Sequence, residues 1–188
     1  MTKFQTHTIE TAPESAKHIL KGAKDKYSFV PNLLGNMAEA PALLEGYVSV
    51  AQIFGKTSFT ETERQIVLMS NNILNGCNYC MAAHTTISQG AGVADDVIES
   101  LRSDTPIADE KLEALRVFAK AVNTSRGRPE NAAIDAFLKA GYTQQNILEV
   151  ILGTSLKVMS NYTNHIAQTQ VDDAFAQNAW SKDNIKAV

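Results

Sequence analysis

The segment from Asn75 to His84 holds both cysteines of the chain and one of its four histidines. Cys77 and Cys80 are three positions apart, and His84 follows the second cysteine by four. Because residues three or four positions apart share one face of a helix, we expect these three side chains to lie close together. The pair Asn75 and Gly76 is typical of a helix end, so Cys77 is predicted to begin a new helix.

Two neighbouring thiols can perform redox chemistry on a peroxide. A thiolate attacks one peroxide oxygen and becomes a sulfenic acid, which a second thiol converts to a disulfide. His84 favours Cys80 as the reactive sulfur, because an imidazole four residues away can accept the thiol proton or stabilise the thiolate. The helix N-terminus favours Cys77, because its unpaired amides and the helix dipole stabilise an anion there. The residues themselves leave this choice open.

Other interpretations of the cysteines and histidines are weaker. A zinc site would have only the two thiolates and His84 as ligands, and a fourth would have to come from a distant residue such as His165. We interpret His165 as a hydrogen-bonded histidine at a helix end or subunit interface, and His7 and His18 as surface groups. The chain has no G-x-G-x-x-G or phosphate-loop motif, so we expect neither a metal nor an organic cofactor.

The elements that must position this segment are predicted to be helices throughout. Apolar residues recur at helical spacing, two capping boxes and several Gly or Pro stops mark the boundaries, and strand-like alternation is absent. The first capping box, at 11–14, predicts a helix to about Tyr27. Further helices are predicted at 32–37, 41–54, 60–75 after the second capping box, 77–89, 93–103, 109–124, 129–140 and 143–166. Gly153 is expected to permit close packing of the last helix. The tail from 172 to 188 is less defined, with Phe175 and Trp180 as its apolar anchors.

Length and composition indicate one ordinary globular domain spanning residues 1–188, with its redox core at about 60–90. The 188 residues are long enough to bury a single core, and 44% are apolar and 20% charged. A net charge of -3 offers no general attraction to nucleic acid. No membrane span or leader-like apolar segment is predicted, so we expect a cytoplasmic protein. In a reducing compartment, two cysteines at this spacing favour redox or metal chemistry over a structural disulfide.

The sequence resembles the alkylhydroperoxidase D-like core of the carboxymuconolactone decarboxylase superfamily. The resemblance rests on residues 63–68 and 75–84 and, as in the peroxidase-related branch, on 30–37 and 160–165. It implies an all-α helical bundle, assembly into trimers or hexamers, and an antioxidant peroxidase that reduces hydroperoxides. Cys80 would be the peroxidatic cysteine and Cys77 the resolving cysteine. An external dithiol resembling dihydrolipoamide or thioredoxin would then restore the pair.

Two positions depart from the family's pattern around the proton relay to which His84 would belong. The family usually has a glutamate twelve residues before the first cysteine, where this chain has Gln65, which cannot take up a proton. Glu63 lies about 200° around the helix axis from that position and is explained by its capping box. Alkylhydroperoxidase D itself has a histidine where this chain has Tyr79, which can donate a hydrogen bond but is a poor base.

These departures predict a slower or differently triggered peroxidase, or another substrate. Decarboxylation of a lactone is disfavoured, because the family's true decarboxylases lack the cysteine pair. The alternatives are a non-enzymatic redox sensor or a protein disulfide oxidoreductase, and the latter would require an exposed Cys77.

Overall fold

The computed structural model describes residues 4–184, without the side chain of Asn184. Within these residues the chain forms nine α-helices and two short 3₁₀ segments, and no β-strand. The α-helices are α1 (Glu14–Tyr27), α2 (Asn32–Met37), α3 (Pro41–Phe54), α4 (Glu61–Asn75), α5 (Asn78–Gly90), α6 (Asp95–Ser103), α7 (Glu110–Thr124), α8 (Asn131–Lys139) and α9 (Gln144–Ala167). The 3₁₀ segments are Asp173–Asn178 and Lys182–Asn184. The predicted all-α fold is confirmed.

The boundaries of α4 follow the signals in the sequence. The Thr60 hydroxyl accepts a hydrogen bond from the Glu63 N–H, while the Glu63 carboxylate accepts one from the Thr60 N–H, as in the predicted capping box. Gly76 ends the helix in the left-handed region at φ 64°. Cys77 is then the N-cap of α5, as predicted.

Two predictions near the N-terminus are wrong. The capping box at 11–14 does not form, because α1 begins at Glu14 with Pro13 as its N-cap. Thr11 instead exchanges hydrogen bonds with Thr8 in a turn. His7, predicted to be a surface group, is buried, and its ring contacts the Glu39 carboxylate and the Thr11 carbonyl oxygen. This histidine therefore ties the N-terminal segment to the end of α2.

The main core surrounds α4, which packs against α5, α6, α7 and α9. Gly153 on α9 lies where a Cβ atom would be 2.7 Å from Val67 Cγ1 and 2.8 Å from Phe54 Cε2, so it permits the predicted close packing. A second, smaller core joins α1 and α2 to the start of α5 and includes both cysteines. The cysteines thus belong to the smaller core.

The buried face of α9 carries several polar side chains. Asn161 donates to Asn72 and accepts from Asn75, both on α4, and Asn72 donates to the Cys80 carbonyl oxygen. Asn123 on α7 joins the same buried asparagine network. Because a misplaced amide here would lose its partners in a buried environment, the network fixes α9 against α4 and α5.

The C-terminal strap, defined as residues 172–180, crosses α5. Phe175 packs edge-on against Tyr79, and Trp180 Nε1 donates to the Arg102 carbonyl oxygen, so both predicted anchors are confirmed. The end of the tail, 185–188, lies outside the described residues. In the described part of the chain, no helix is both long enough and apolar enough to cross a membrane.

Candidate functional site

Cys77 and Cys80 are both free thiols and both buried, with 1% and 2% of their surface exposed. The Cys77 sulfur accepts a hydrogen bond from the Cys80 N–H at 3.4 Å, as expected of an N-cap. From α9, Asn164 Nδ2 lies 3.1 Å from the Cys80 sulfur and 3.6 Å from the Cys77 sulfur. One amide thus contacts both sulfurs and holds them on the same side of the helix start.

The pKa values of the two thiols are shifted in opposite directions. Burial raises the pKa of Cys80, but a hydrogen bond from the Cys77 thiol and the positive charge of Lys157 outweigh it and lower that pKa to about 5. The hydrogen bond that Cys77 makes to Cys80, its burial and the negative charge on Cys80 all raise the pKa of Cys77. These contacts favour ionisation of Cys80 over ionisation of Cys77.

His84 lies on α5 between a glutamine and a lysine. Its Nδ1 is 2.8 Å from Gln65 Oε1, and its Nε2 is 3.0 Å from Lys157 Nζ. Burial and the charge of Lys157 lower the pKa of His84 well below its usual value, so the imidazole is neutral. His84 and Cys80 line the same cavity, but among residues 4–184 no hydrogen bond joins His84 to either sulfur.

Gln65 connects His84 to the surface side of α4. Its Nε2 donates to Glu61 Oε1 at 2.7 Å, one turn earlier on the same helix. Its Oε1 therefore faces the imidazole, and an amide oxygen only accepts hydrogen bonds. Gln65 thus contacts the predicted partner His84 but cannot pass a proton along this path.

Two residues on α9 that sequence reasoning did not single out complete the site, namely Lys157 and Asn164. Lys157 is only 1% exposed, and its charge acts on both cysteines. The signal was present in the sequence, since Gly153, Lys157 and Asn164 recur at helical spacing on one face. The prediction of α9 rested on its apolar residues and Gly153, and neither Lys157 nor Asn164 was among the candidate site residues.

Tyr79 points its hydroxyl away from the redox pair. The hydroxyl donates to Asp172 Oδ2 at 2.5 Å and accepts from the Leu33 N–H at 3.3 Å. Burial raises the pKa of Tyr79, so it is no base at neutral pH. Its role in the structure is to fasten the C-terminal strap and α2 to the start of α5.

A cavity of about 110 Å³ lies against Cys80, His84 and Lys157. Its remaining wall is mostly apolar and aromatic, formed by Tyr27, Pro31, Leu33, Leu34, Tyr47, Tyr79, Ala83, Ile87 and Phe175. A second cavity of about 510 Å³ between α1 and α3 shares Tyr27, Leu34 and Tyr47 with it. The two cavities therefore adjoin at these three residues.

The described residues contain no cluster of three His, Cys, Asp or Glu side chains able to hold a metal ion. His165, the distant residue considered as a fourth zinc ligand, is exposed on α9, whereas both thiols are buried.

Solved structures share this fold. An uncharacterised peroxidase-related protein from Ralstonia eutropha JMP134, described as an alkylhydroperoxidase AhpD core, is 22% identical with a TM-score of 0.74, over 92% of this chain and 93% of that one. A peroxidase-related protein from Silicibacter sp. TM1040 is 17% identical, with a TM-score of 0.76 over 93% and 97% of the two chains. The fold is therefore that of alkylhydroperoxidase D-like proteins.

Residues 41–121 match the sequence model of the carboxymuconolactone decarboxylase family, so the predicted resemblance to this superfamily is confirmed. The debrominase Bmp8, solved as a cysteine-to-alanine variant in complex with 2,3,4-tribromopyrrole, has a similar fold. It is 17% identical, with a TM-score of 0.78 over 95% of this chain and 96% of that one. No curated protein matches the sequence.

Proposed function

We propose that the protein is a thiol-dependent peroxidase that reduces hydroperoxides through Cys80 and Cys77. The observation that carries this proposal is the position of two adjacent thiols, both in contact with Asn164, with Cys80 lining a cavity; the neighbours of Cys80 also lower its pKa. A thiolate is the nucleophile that peroxide cleavage requires, and a neighbouring thiol is what converts the product to a disulfide.

In the proposed reaction, the Cys80 thiolate attacks the terminal peroxide oxygen, the O–O bond breaks, and an alkoxide leaves and takes up a proton. Cys80 is then a sulfenic acid, and Cys77 attacks its sulfur and expels water. Two electrons pass from the sulfurs to the peroxide, leaving a disulfide between Cys77 and Cys80. An external dithiol, of the dihydrolipoamide or thioredoxin type, reduces this disulfide in the cytoplasm.

The cavity favours organic hydroperoxides over hydrogen peroxide. Its volume of about 110 Å³ is close to the roughly 150 Å³ of an apolar protein cavity that binds benzene. A compact alkyl or single-ring group would contact the aromatic side chains of Tyr27, Tyr47 and Phe175 while its peroxide reaches Cys80. Hydrogen peroxide has no apolar part to make these contacts.

Burial of the cysteines counts against a protein disulfide oxidoreductase. Such an enzyme must present its attacking sulfur to another protein, and this alternative required an exposed Cys77. Cys77 is 1% exposed and Cys80 2% exposed. A small substrate can reach sulfurs at this depth, whereas a folded protein surface cannot.

The test is steady-state reduction of cumene hydroperoxide and hydrogen peroxide by the purified protein with dihydrolipoamide. We expect turnover with a preference for the organic peroxide, and no turnover in Cys80→Ser or Cys77→Ser. Gly46→Ala, at an open position on α3, is the control and should keep full activity. A wild-type protein that is oxidised once and never turns over would be a redox sensor, and the enzyme proposal would be wrong.

A second candidate function is reductive dehalogenation of a small halogenated aromatic ring. The observation that favours it is the similarity of the fold to a debrominase bound to a tribromopyrrole, together with an apolar cavity of one-ring size at Cys80. The same two thiols can replace a carbon-bound halogen by hydrogen, yielding a disulfide and a hydrogen halide. Release of bromide from tribromopyrrole in the same assay would favour this function over peroxide reduction.

We also propose that the protein self-assembles through α9. Five apolar side chains at helical spacing are exposed on this helix, namely Leu148, Ile151, Val158, Tyr162 and Ile166. A continuous apolar stripe of this kind is typical of a protein interface. The trimer or hexamer implied by the family resemblance would cover it.

A further inference from the structure

Lys157 is a buried cation without a carboxylate partner. It is 1% exposed, and within residues 4–184 no ion pair joins it to an aspartate or glutamate. Its hydrogen-bonding contact is His84 Nε2, at 3.0 Å. A buried charge is costly unless an opposite charge balances it. The anion available in this site is the Cys80 thiolate, on which the charge of Lys157 acts.

The hydrogen bonds around His84 fix its tautomer. Gln65 donates to Glu61 through Nε2, so its Oε1 accepts from His84, and Nδ1 must carry the imidazole proton. Nε2 then has a free lone pair, which accepts a hydrogen bond from the Lys157 ammonium. A second proton on His84, at Nε2, would place a positively charged ring against this ammonium, which is unfavourable. The imidazole therefore acts as a neutral acceptor that holds the lysine.

We propose that Lys157, and not His84, is the cation and the proton donor of this site, with His84 and Gln65 as positioning residues. This inference rests on the proposed peroxidase function and assigns the proton step within it. Lys157 qualifies as a catalytic residue because it lines the cavity beside Cys80 and can reach a leaving oxygen there.

The proton balance closes with Lys157 in this role. The reduced site holds a thiolate, a thiol and an ammonium. When the O–O bond breaks, the ammonium protonates the leaving alkoxide, and the Cys77 proton leaves with the hydroxyl of the sulfenic acid as water. The products are an alcohol, water, a disulfide and a neutral amine, and no charge remains buried. Reduction by a dithiol forms the Cys80 thiolate and the Cys77 thiol again and releases one proton, which restores the ammonium.

Other titratable groups face Cys80 but supply no positive charge. Tyr47 reaches it from α3, while Tyr79, Cys77 and His84 lie on α5. Burial raises the pKa of both tyrosines, and Cys77 and His84 are neutral at physiological pH. The pH dependence of Cys80 therefore reports on Lys157 and on the Cys77 hydrogen bond.

The first test compares Lys157→Met with Lys157→Arg by following alkylation of Cys80 with iodoacetamide across pH, using mass spectrometry to locate the label. In the wild type we expect the thiolate to appear with a midpoint near the pKa of about 5. In Lys157→Met we expect the midpoint to rise toward that of a free thiol, near 8.5, which lowers the rate at pH 6.5 by up to about 100-fold. Lys157→Arg should keep the wild-type profile. A wild-type profile in Lys157→Met would overturn the proposal.

A second measurement needs no variant and stays informative if Lys157→Met fails to fold. ¹⁵N chemical shifts of His84 in the reduced wild type should be those of a neutral ring protonated at Nδ1 from pH 5 to 9. Titration of His84 within this range would show that the imidazole carries a positive charge, which contradicts the proposal.

A third measurement tests the proton donor itself. Single-turnover oxidation of reduced wild type and Lys157→Met by cumene hydroperoxide is followed across pH, and each rate is divided by the thiolate fraction from the alkylation profile. We expect a lower rate per thiolate in Lys157→Met, and equal rates per thiolate would contradict a donor role for Lys157. The alkylation and NMR measurements use no peroxide. If the protein shows no peroxidase turnover, the proposed function is wrong, but these two measurements still test whether Lys157 pairs with the Cys80 thiolate.

Discussion

At the scale of residues, the pKa of Cys80 is lowered and that of Cys77 is raised, because each sulfur has a different set of neighbours. Cys80 receives hydrogen bonds and the charge of Lys157, whereas Cys77 donates to Cys80. The spacing of the cysteines predicted that they would lie together. It could not predict which sulfur ionises, since that depends on Lys157, which lies 73 residues from His84 in the chain.

The hydrogen bond from Cys77 gives a first prediction about acidity. Cys77→Ala removes the donor, so the pKa of Cys80 should rise from about 5, and its thiolate should be lost at a higher pH as the pH falls. Cys77→Ser keeps a donor and should shift the midpoint less. The thiolate absorbance near 240 nm measures both, and equal midpoints in the two variants would show that the hydrogen bond contributes nothing.

Gln65 shows what a sequence comparison reveals and what it leaves out. The resemblance to the family identified the position and the missing carboxylate. Its consequence, a neutral His84 held by an amide oxygen, required the contacts of Gln65 with Glu61 and His84. The role foreseen for His84, a direct contact with Cys80, assumed that i and i+4 side chains meet, but its ring is taken up by partners on α4 and α9 instead.

At the scale of elements, α9 buries one face and exposes another, and apolar residues lie on both. Ile151, Tyr162 and Ile166, which are among its apolar residues at helical spacing, are exposed. Its buried face carries Lys157 and Asn161, which the surrounding hydrogen bonds accommodate. A period of 3.6 residues predicts that a helix forms, but it does not determine which face is buried when polar groups are satisfied inside.

The close approach of α9 to α3 and α4 gives a prediction about stability. In Gly153→Ala the new Cβ would lie 2.7 Å from Val67 and 2.8 Å from Phe54, which must shift, so the free energy of unfolding should fall by about 1–3 kcal/mol. Gly46→Ala, inside α3 with no atom within 4 Å of its Cβ, should raise it by about 0.5–1 kcal/mol. Urea unfolding measures both. If Gly153→Ala were as stable as the wild type, the packing of α9 would relax around the new Cβ atom without a loss of stability.

At the scale of the whole molecule, the helices and most of their ends were predictable because capping boxes, glycine stops and apolar spacing are local. The N-terminal segment was not, because its arrangement depends on contacts with residues distant in the chain. His7 bonds to Glu39, and Gly35 packs directly against the His7 carbonyl oxygen. Thr11 therefore closes a turn that the capping-box pattern did not distinguish from a helix start.

The exposed stripe on α9 gives a prediction about assembly. Ile166→Lys places a charge on an apolar side chain that is 68% exposed, and it should reduce the mass in solution to that of one 20.4 kDa chain. Val117→Lys on α7, where 48% of the side chain is exposed, is the matched control and should leave the mass unchanged. Light scattering after size-exclusion chromatography measures both. An unchanged mass for Ile166→Lys would show that the stripe is not the interface.

Two groups of elements line the cavity beside Cys80, and each contributes a different kind of side chain. The reactive groups belong to α5 and α9, which the asparagine network fixes to α4. Most of the apolar wall comes from α1, α2, α3 and the C-terminal strap, through residues such as Tyr27, Leu34 and Phe175. In evolutionary terms, substitutions in that wall can change which molecules are admitted without displacing the sulfurs. A site of this design can therefore acquire new ligands while keeping the same pair of sulfurs.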